Sequence, residues 1–176
     1  MTAGPFSHRN AVIGDLPRIV EIYNATIPSR VATADLEPVS VESRLEWFSE
    51  HEPGRRPLWV VEIDGEVRGW LSLSSFYGRP AYSGTVEVSV YVDERNRSQG
   101  LGTYLLGEAL AQAPALGIRT LLAFVFGHNA GSVALFSRYE FEPWGWLPGV
   151  ALLDGMPRDL AILGRHLDAS TDVSRR

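Results

Sequence analysis

The chain has 176 residues, 45% of them hydrophobic and 10% aromatic, which is enough to build one domain with a hydrophobic core. Its 16 Lys and Arg stand against 21 Asp and Glu, and the formal net charge of −5 argues against a broad surface for nucleic acid. The lack of cysteine excludes a disulfide scaffold, a thiolate nucleophile and sulfur-ligated zinc. The four histidines lack metal-ligand spacing, so we predict no metal and give them no role.

The sequence shows neither a secretory signal nor a membrane-spanning segment. The first ten residues lack the pattern of a secretory signal, and no apolar run approaches the roughly 18 residues needed to span a bilayer. We therefore expect a cytoplasmic protein without a membrane partner. The polar end at residues 167–176 is expected to be a disordered tail on a single domain that spans residues 1–166.

The first elements in chain order are a short strand at residues 6–10 and an amphipathic helix. Asp15 is placed to cap this helix and Pro17 suits its first turn. Apolar residues recur at helical spacing up to Pro28, where we expect the helix to end.

A second helix is predicted after an irregular stretch. Ser40 can cap it, and it should run to about Glu50 with Leu45 and Phe48 facing inward. A cluster of Pro, Gly and Arg at residues 53–57 ends it.

Three strands follow. Residues 58–63 and 67–75 flank Asp64-Gly65, a strong signal for an antiparallel hairpin. The alternating, β-branched segment Thr85–Val92 reads as a third long strand. It carries a carboxyl group, Glu87, between apolar neighbours, which is unusual.

The second half alternates helices and strands. After a charged loop at 93–99, a helix is expected at 100–113, a strand at 119–126, and a helix from the cap Asn129 to about residue 140. Strands at 141–146 and 159–163 complete the order β-α-α-β-β-β-α-β-α-β-β. The prediction is a mixed sheet with helices on its faces.

The segment at residues 97–102, Arg-Ser-Gln-Gly-Leu-Gly, lies between a predicted strand and a predicted helix. Glycines let backbone N–H groups turn toward a ligand, and the helix N-terminus adds its positive end, so the loop reads as a pyrophosphate cradle. A P-loop would need lysine after Gly102, and a dinucleotide fingerprint would need a small residue at Leu105. Both of those interpretations fail.

The surviving Arg-x-x-Gly-x-Gly pattern, after the strand Thr85–Val92, resembles the GCN5-related N-acetyltransferases, the GNAT superfamily. The segment Asn129 to Phe136 is similar to the second signature of that family. The resemblance implies a single-domain α/β fold with a mixed, mostly antiparallel sheet flanked by helices. It also implies that acetyl-CoA is the co-substrate.

Within the superfamily the chain resembles the phosphinothricin and methionine sulfone or sulfoximine N-acetyltransferases. The similar segments span nearly the whole domain and include residues 15–17, 22–25, 37–40, 79–82 and 85–92. The resemblance implies a small amino-acid-like amine as acceptor and a homodimer, since relatives are commonly homodimers.

Residue roles follow from the same resemblance. Those implied to contact the cofactor are Val90, Tyr91, Val92, Arg97, Ser98, Gln99, Gly100, Leu101, Gly102, Thr103 and Asn129. Those implied to line the acceptor pocket are Tyr77, Gly78, Arg79, Tyr82, Val88 and Ser89, beside Glu87.

Three positions depart from the family pattern, all on the acceptor or catalytic side. Ala34 stands where many relatives have an aromatic residue, and Val88 where many have histidine. Phe136 replaces a tyrosine or histidine and has no proton to give, so we interpret it as core or as a wall of the thiol tunnel. Tyr139, three residues on, is expected to pack.

Acetyl transfer needs a neutral amine, because an ammonium group has no lone pair. Glu87, its pKa raised by partial desolvation, is the candidate general base, and backbone N–H groups around Val90 are candidates for the oxyanion. Arg79 is able to pair with a substrate carboxylate, although a solvated loop arginine is an equal interpretation. Arg55, Arg56 and Arg95 are expected to be solvated charges, although Arg95 is close enough in sequence to the phosphate loop to assist it.

Other functions stay open on the sequence alone. The amine could be a peptide N-terminus or a polyamine, or the fold could be a non-catalytic acyl-CoA-binding module. Nucleic-acid binding is a weak third alternative, because the chain is acidic. With no cysteine to carry an acetyl group, direct attack by the amine in a ternary complex is the favoured route.

Overall fold

The structure, a computed structural model, describes residues 6–167, so the tail predicted at 167–176 lies outside the described residues except for Leu167. Seven strands form one sheet in the order β1-β2-β3-β4-β5-β7-β6, and all neighbours are antiparallel except β4 and β5. The strands are β1 (Ser7–Asn10), β2 (Leu58–Ile63), β3 (Glu66–Ser75), β4 (Thr85–Val92), β5 (Thr120–Phe126), β6 (Glu142–Leu153) and β7 (Met156–His166). The helices are α1 (Leu16–Asn24), α2 (Leu45–Ser49), α3 (Leu101–Gln112) and α4 (Ala130–Arg138). The predicted fold class and element order are confirmed.

Two Asp-Gly turns make the hairpins of this sheet. Asp64 and Gly65 both have positive φ, 54° and 76°, as a two-residue turn between twisted strands requires. Asp154 and Gly155 repeat this geometry with φ of 49° and 80° and join β6 to β7. β6 and β7 both run up to this turn, so they are longer than the strands predicted at 141–146 and 159–163.

The first two helices are shorter than predicted. α1 ends at Asn24, and residues Ile27–Ser29 form a separate 3-10 turn, so Pro28 does not mark the end of α1. α2 is preceded by a 3-10 turn at Glu42–Arg44. Leu45, predicted to face inward, is 47% exposed, whereas Trp47 packs against the core in its place.

Two cores lie on opposite faces of the sheet. The larger one packs α3 and α4 against inward residues such as Leu71, Val86 and Leu121. The smaller one packs α1 and α2 against Val60 and Trp70. Within residues 6–167, no helix is both long and apolar enough to cross a bilayer.

Candidate active site

A gap opens in the middle of the sheet, where β4 and β5 separate. The two strands pair only from Thr85–Thr120 to Glu87–Leu122, although β4 continues to Val92 and pairs with β3 along its whole length. Alternate residues of an antiparallel strand bond to their partner, and the N–H of Asp93 bonds to the carbonyl of Arg68 on the β3 side. By this alternation Val90 and Val92 direct their backbone N–H and C=O groups toward the gap.

A cavity of about 670 Å³ lies at this gap. Ten of the eleven predicted cofactor contacts line it: Val90, Tyr91, Val92, Arg97, Ser98, Gly100, Leu101, Gly102, Thr103 and Asn129. Gln99 is the exception, since its side chain bonds to Asn96 and to the carbonyl of Arg95. The structure thus brings the strand residues, the glycine-rich loop and Asn129 together in one cavity.

The glycine-rich loop gives the cavity an anion-binding end. Ser98 and Gly100 have φ of 62° and 93°, and α3 begins directly after Gly100. The first backbone N–H that bonds back to Gly100 is that of Tyr104, which leaves the earlier N–H groups of α3 for a ligand. A helix N-terminus with free N–H groups suits a phosphate.

Gly102 lies close to both β4 and α4. A Cβ atom at this position would lie 3.4 Å from Leu135 Cδ2 and 3.8 Å from Val90 Cγ1, in ordinary van der Waals contact. There is room here for a methyl group and little beyond it. A larger side chain here would fill the junction from which the N–H groups emerge.

Two polar side chains of the cavity were not found from the sequence. Arg138, in the last turn of α4, lies with Nη1 3.5 Å from Thr103 Oγ1, beside the α3 N-terminus. Asn96 has a buried Oδ1 that accepts no hydrogen bond from residues 6–167. The loop of Thr26, Ser29, Val31 and Ala32 forms another wall that no motif had indicated.

The loop is held from behind by a buried carboxylate, Asp93. Arg18 and Arg95 donate hydrogen bonds to it, and Arg68 lies 3.7 Å away. Burial would raise the pKa of Asp93, but the hydrogen bonds from Arg95 and Arg18 outweigh it and hold the pKa at about 2. Arg95 is exposed to solvent, as expected from the sequence, and its ion pair with Asp93 also ties it to the entrance of the loop.

Glu87 lies on β4 at the last residue that pairs with β5. Its side chain is half-buried on the face opposite Val86 and Val88, the face that also carries Ser89 and Tyr91. Burial raises the pKa of the Glu87 carboxyl above its usual value. A carboxyl group of this kind accepts a proton more readily than a solvated one.

The other predicted acceptor residues surround the same end of β4. Tyr77 and Tyr82 form an aromatic cluster with Phe76 and Phe124, with ring centroids 4.5 to 6.4 Å apart in the contacting pairs. Tyr77 is 78% exposed. Gly78 and Arg79 continue this loop and are exposed. Neither residue lines the 670 Å³ cavity.

Val88 differs from the other predicted acceptor residues. Its side chain is buried in the core beneath α3, because it alternates with Glu87 along the strand. Only its backbone is on the acceptor side of the strand.

Arg56 is the clearest correction on this side of the molecule. Predicted to be solvated, it is buried and donates hydrogen bonds to Ser75 Oγ and to the carbonyl of Ser83. Burial lowers the pKa of its guanidinium. The side chain fastens both ends of the loop that carries Tyr77 and Arg79.

Phe136 on α4 and Tyr139, which directly follows α4, both pack against the larger core. Phe136 is buried and meets Phe141 edge to face, with centroids 5.0 Å apart. The hydroxyl of Tyr139 donates to the carbonyl of Thr103 at 2.6 Å. The prediction that Tyr139 packs is confirmed by its place in this core.

The four histidines, given no role from the sequence, all have hydrogen-bond partners. His8 bonds to the hydroxyl of Tyr104, and His128 Nε2 donates to the carbonyl of Arg30. His166 bonds to Thr120, and His51 to the carbonyl of Trp47, four residues before it. All but the last of these bonds join elements distant in sequence, which the spacing of the histidines could not reveal.

Known proteins match the chain over most of its length. The family model described as Acetyltransferase (GNAT) family matches residues 16–141. A Bacillus subtilis protein that carries the name "Putative phosphinothricin acetyltransferase YwnH" is 56% identical over 154 residues, 87% of this chain and 94% of that protein. The L-methionine sulfoximine/L-methionine sulfone acetyltransferase of Pseudomonas aeruginosa is 34% identical over 163 residues, 92% of this chain and 95% of that protein.

A solved structure gives the same picture in three dimensions. It is a GNAT superfamily phosphinothricin acetyltransferase from Sinorhizobium meliloti in complex with AcCoA, 31% identical to this chain. The two superpose with a TM-score of 0.87, covering 96% of this chain and 93% of that one. The similarity therefore includes both the cavity and the strand that carries Glu87.

Proposed function

This chain belongs to the GNAT acetyltransferase family and is an acetyl-CoA-dependent N-acetyltransferase, and we propose that its acceptor is the amine of a small amino-acid-like molecule. Phosphinothricin, methionine sulfoximine and methionine sulfone, named in relatives, define the substrate class. The observation that supports the proposal is the gap between β4 and β5. The gap opens directly after Glu87, the last residue of β4 that pairs with β5, and the anion-binding loop lines the cavity that lies there.

The cavity residues fit the parts of acetyl-CoA. We assign the pyrophosphate to Arg97 and to the backbone of the segment from Ser98 to Thr103. Arg138 adds a cation near the same phosphates. Backbone groups of Val90 and Val92 face the pantetheine, which carries amides that hydrogen-bond as a strand does, while Tyr91, whose backbone bonds toward β3, contributes to the cavity lining. Asn129 has its Oδ1 occupied by the N–H of Ser132, so its Nδ2 is the group for the cofactor.

The amine is activated by Glu87. At pH 7 an α-amino group with a pKa of about 7.7 to 8.0 is mostly protonated, and the raised pKa of Glu87 suits it to accept the proton. The neutral amine then attacks the thioester directly. The N–H of Val90, directed into the gap, donates to the developing oxyanion, and the thiolate leaves without full protonation because its pKa is about 8.5.

The acceptor is held by residues around the end of β4. Tyr77, Gly78, Tyr82, Ser89 and the backbone of Val88 form its walls, and Arg79 pairs with its carboxylate in a bidentate geometry. The chemistry needs an amine and a carboxylate in one small molecule. A polyamine offers no group to Arg79, and a peptide N-terminus has its carboxylate elsewhere.

Thiol release from acetyl-CoA tests the proposal. The assay offers phosphinothricin, methionine sulfoximine, methionine sulfone, a polyamine and a dipeptide at matched concentrations. Amino-acid acceptors should be turned over with a kcat/KM well above that of the other two. Turnover of the polyamine or dipeptide alone would show that the acceptor class is wrong.

Replacing Gly100 by Ala should weaken acetyl-CoA binding. A Cβ atom in the left-handed region costs roughly 1 to 2 kcal/mol, so KM for acetyl-CoA should rise about 5- to 30-fold as the loop relaxes, with kcat little changed. Gly54→Ala is the control, because a Cβ atom there meets nothing within 4 Å. Equal KM values in both variants would contradict the cradle.

We further propose that the enzyme is a homodimer formed through the β6–β7 hairpin. Large apolar side chains are exposed along it, namely Trp144, Trp146, Leu147, Val150, Leu152 and Met156. A contiguous apolar surface of this kind marks an interaction site.

Light scattering after size exclusion tests the dimer. Leu152, which is 63% exposed, is the position to change: Leu152→Lys should shift the particle from twice the chain mass to the chain mass. Val12→Lys, at a 58% exposed apolar residue outside the hairpin, should leave the dimer intact. A wild-type protein that runs as a monomer at micromolar concentration would overturn the proposal.

We also propose that residues 1–166 form one domain that acts in the cytoplasm, where acetyl-CoA is available. The family match over residues 16–141 and the last strand, which ends at His166, support a single unit.

A further inference from the structure

The acceptor face of the sheet contains a histidine, His51, that the proposed mechanism has not used. His51 lies just after α2, and its Nδ1 is 2.8 Å from the carbonyl oxygen of Trp47. A carbonyl only accepts, so Nδ1 carries the hydrogen. In the neutral ring, Nε2 is then left with a free lone pair.

That lone pair faces the sheet. Nε2 lies 3.5 Å from the hydroxyl oxygen of Ser74 on β3, the outer limit of a hydrogen bond. Ser74 is directly opposite Glu87 in the β3–β4 ladder, so both side chains stand on the same face as cross-strand neighbours. The order across the face is therefore Glu87, Ser74, His51.

The proton affinities of the two ends of this line are shifted toward each other. Burial raises the pKa of Glu87, while burial lowers the pKa of His51 against the opposing effects of the Trp47 hydrogen bond and of Glu50. The two groups are thereby brought closer in affinity than a solvated glutamate and histidine. The groups around the ring are Trp47 and Glu50 on its own side, and Ser74 and Glu87 on the sheet.

The reaction itself requires a path for protons. A bound ammonium group loses one proton before attack and a second as the amide forms. One of the two ends on the thiolate of coenzyme A, and the other must leave the site. Glu87 can accept only one proton at a time, so it must pass that proton on.

We propose that His51 is a positioning residue for proton transfer at Glu87, receiving the proton through the Ser74 hydroxyl. The acid form of Glu87 gives its proton to Ser74 Oγ while the Ser74 hydroxyl proton moves to His51 Nε2. The carboxylate is restored and an imidazolium forms, with its Nδ1–H still on Trp47. In the proposed complex the acceptor covers Glu87, whereas the half-buried ring of His51 stays in contact with solvent and releases the proton there. The inference rests on the proposed acetyl transfer to an amine.

A double-mutant cycle tests it. His51→Asn keeps an N–H donor for Trp47 and removes the Nε2 acceptor, and Ser74→Ala interrupts the line at its middle. Each should lower kcat by about one order of magnitude, less than the two to four expected for loss of the base itself, with KM for acetyl-CoA unchanged. In a Glu87→Gln background neither should lower kcat further, because both act through Glu87.

A control variant at another histidine separates the role of His51 from a general effect of the substitution. His166→Asn, at a histidine bonded to Thr120 at the end of β7, should behave as wild type. Multiplicative losses in the double variants, or wild-type kcat in His51→Asn, would overturn the role of His51. If His51→Asn fails to fold, the Ser74→Ala and Glu87→Gln cycle decides. A wild-type enzyme that acetylates no amine would overturn the proposed function and this inference together.

Discussion

In Glu87→Gln, kcat falls by about two to four orders of magnitude, the usual contribution of a positioned general base. The amide has nearly the shape of the carboxyl group and cannot accept the ammonium proton. Glu87 does not line the cofactor cavity, so acetyl-CoA should still bind and raise the melting temperature as it does in wild type.

The pH profile of Glu87→Gln gives the second readout. A general base works when deprotonated, so kcat/KM for the amine falls as pH drops through the pKa of Glu87, which burial places above 4.5. The Gln variant should lose this acid limb. Glu142→Gln, at an exposed residue that begins β6, is the control. A variant at position 87 with wild-type kcat at every pH would contradict the assignment.

The Asp93→Ala variant should lose about 1 to 3 kcal/mol of unfolding free energy, the usual cost of removing hydrogen bonds to a charged group. Asp93 is 5% exposed and pairs with Arg18, Arg68 and Arg95; without it, Arg18 and Arg68 keep only their exposed partners, Glu21 and Glu66. Because the Asp93 carboxylate caps the 3-10 turn that leads into the glycine-rich loop, KM for acetyl-CoA should rise as well. Chemical denaturation and acetyl-CoA titration measure the two effects.

The pH dependence of the unfolding free energy gives a second test of Asp93. The pKa of Asp93 is about 2 in the folded protein, below its usual 3.8, so its contribution is present above 3.8 and is lost as pH falls toward 2. Asp93→Ala should lack that loss. Glu21→Ala removes the exposed partner of Arg18 and should change stability little, since exposed ion pairs contribute about 0 to 1 kcal/mol. Equal effects of the two substitutions would show that the buried cluster does not stabilise the fold.

Local sequence rules predicted those parts of the fold that local chemistry decides. Thr85–Val92 alternates clearly, and Asp64-Gly65 needs the positive φ that it has, so strand and turn were predicted correctly. The end of α1 was not, because Ile27 continues the apolar spacing although its segment is a separate 3-10 turn. Periodicity shows which residues are buried and not where a helix stops.

The site divides in the same way. The glycine-rich loop can be recognised from the sequence because it is one continuous segment with special backbone geometry. Arg138 and His51 reach the site only through tertiary packing, so no spacing could indicate them. Asn96 directly precedes Arg97 in the loop, but its burial cannot be read from the sequence. Arg56 looked solvated because its neighbours are charged and polar, whereas its hydrogen bonds go to residues 19 and 27 positions later.

The short ladder between β4 and β5 has a mechanical consequence. Three residue pairs are the only strand pairing between β1–β4 and β5–β7 among the described residues, so a short ladder joins the two parts of the sheet. A ligand that bonds to Val90 and Val92 fills the gap and adds a second connection between these two parts. The enzyme should therefore be most mobile at this gap when empty, and the amides of Val90 and Val92, which lack a strand partner there, should exchange hydrogen faster than those of Ser89 and Tyr91, which bond toward β3.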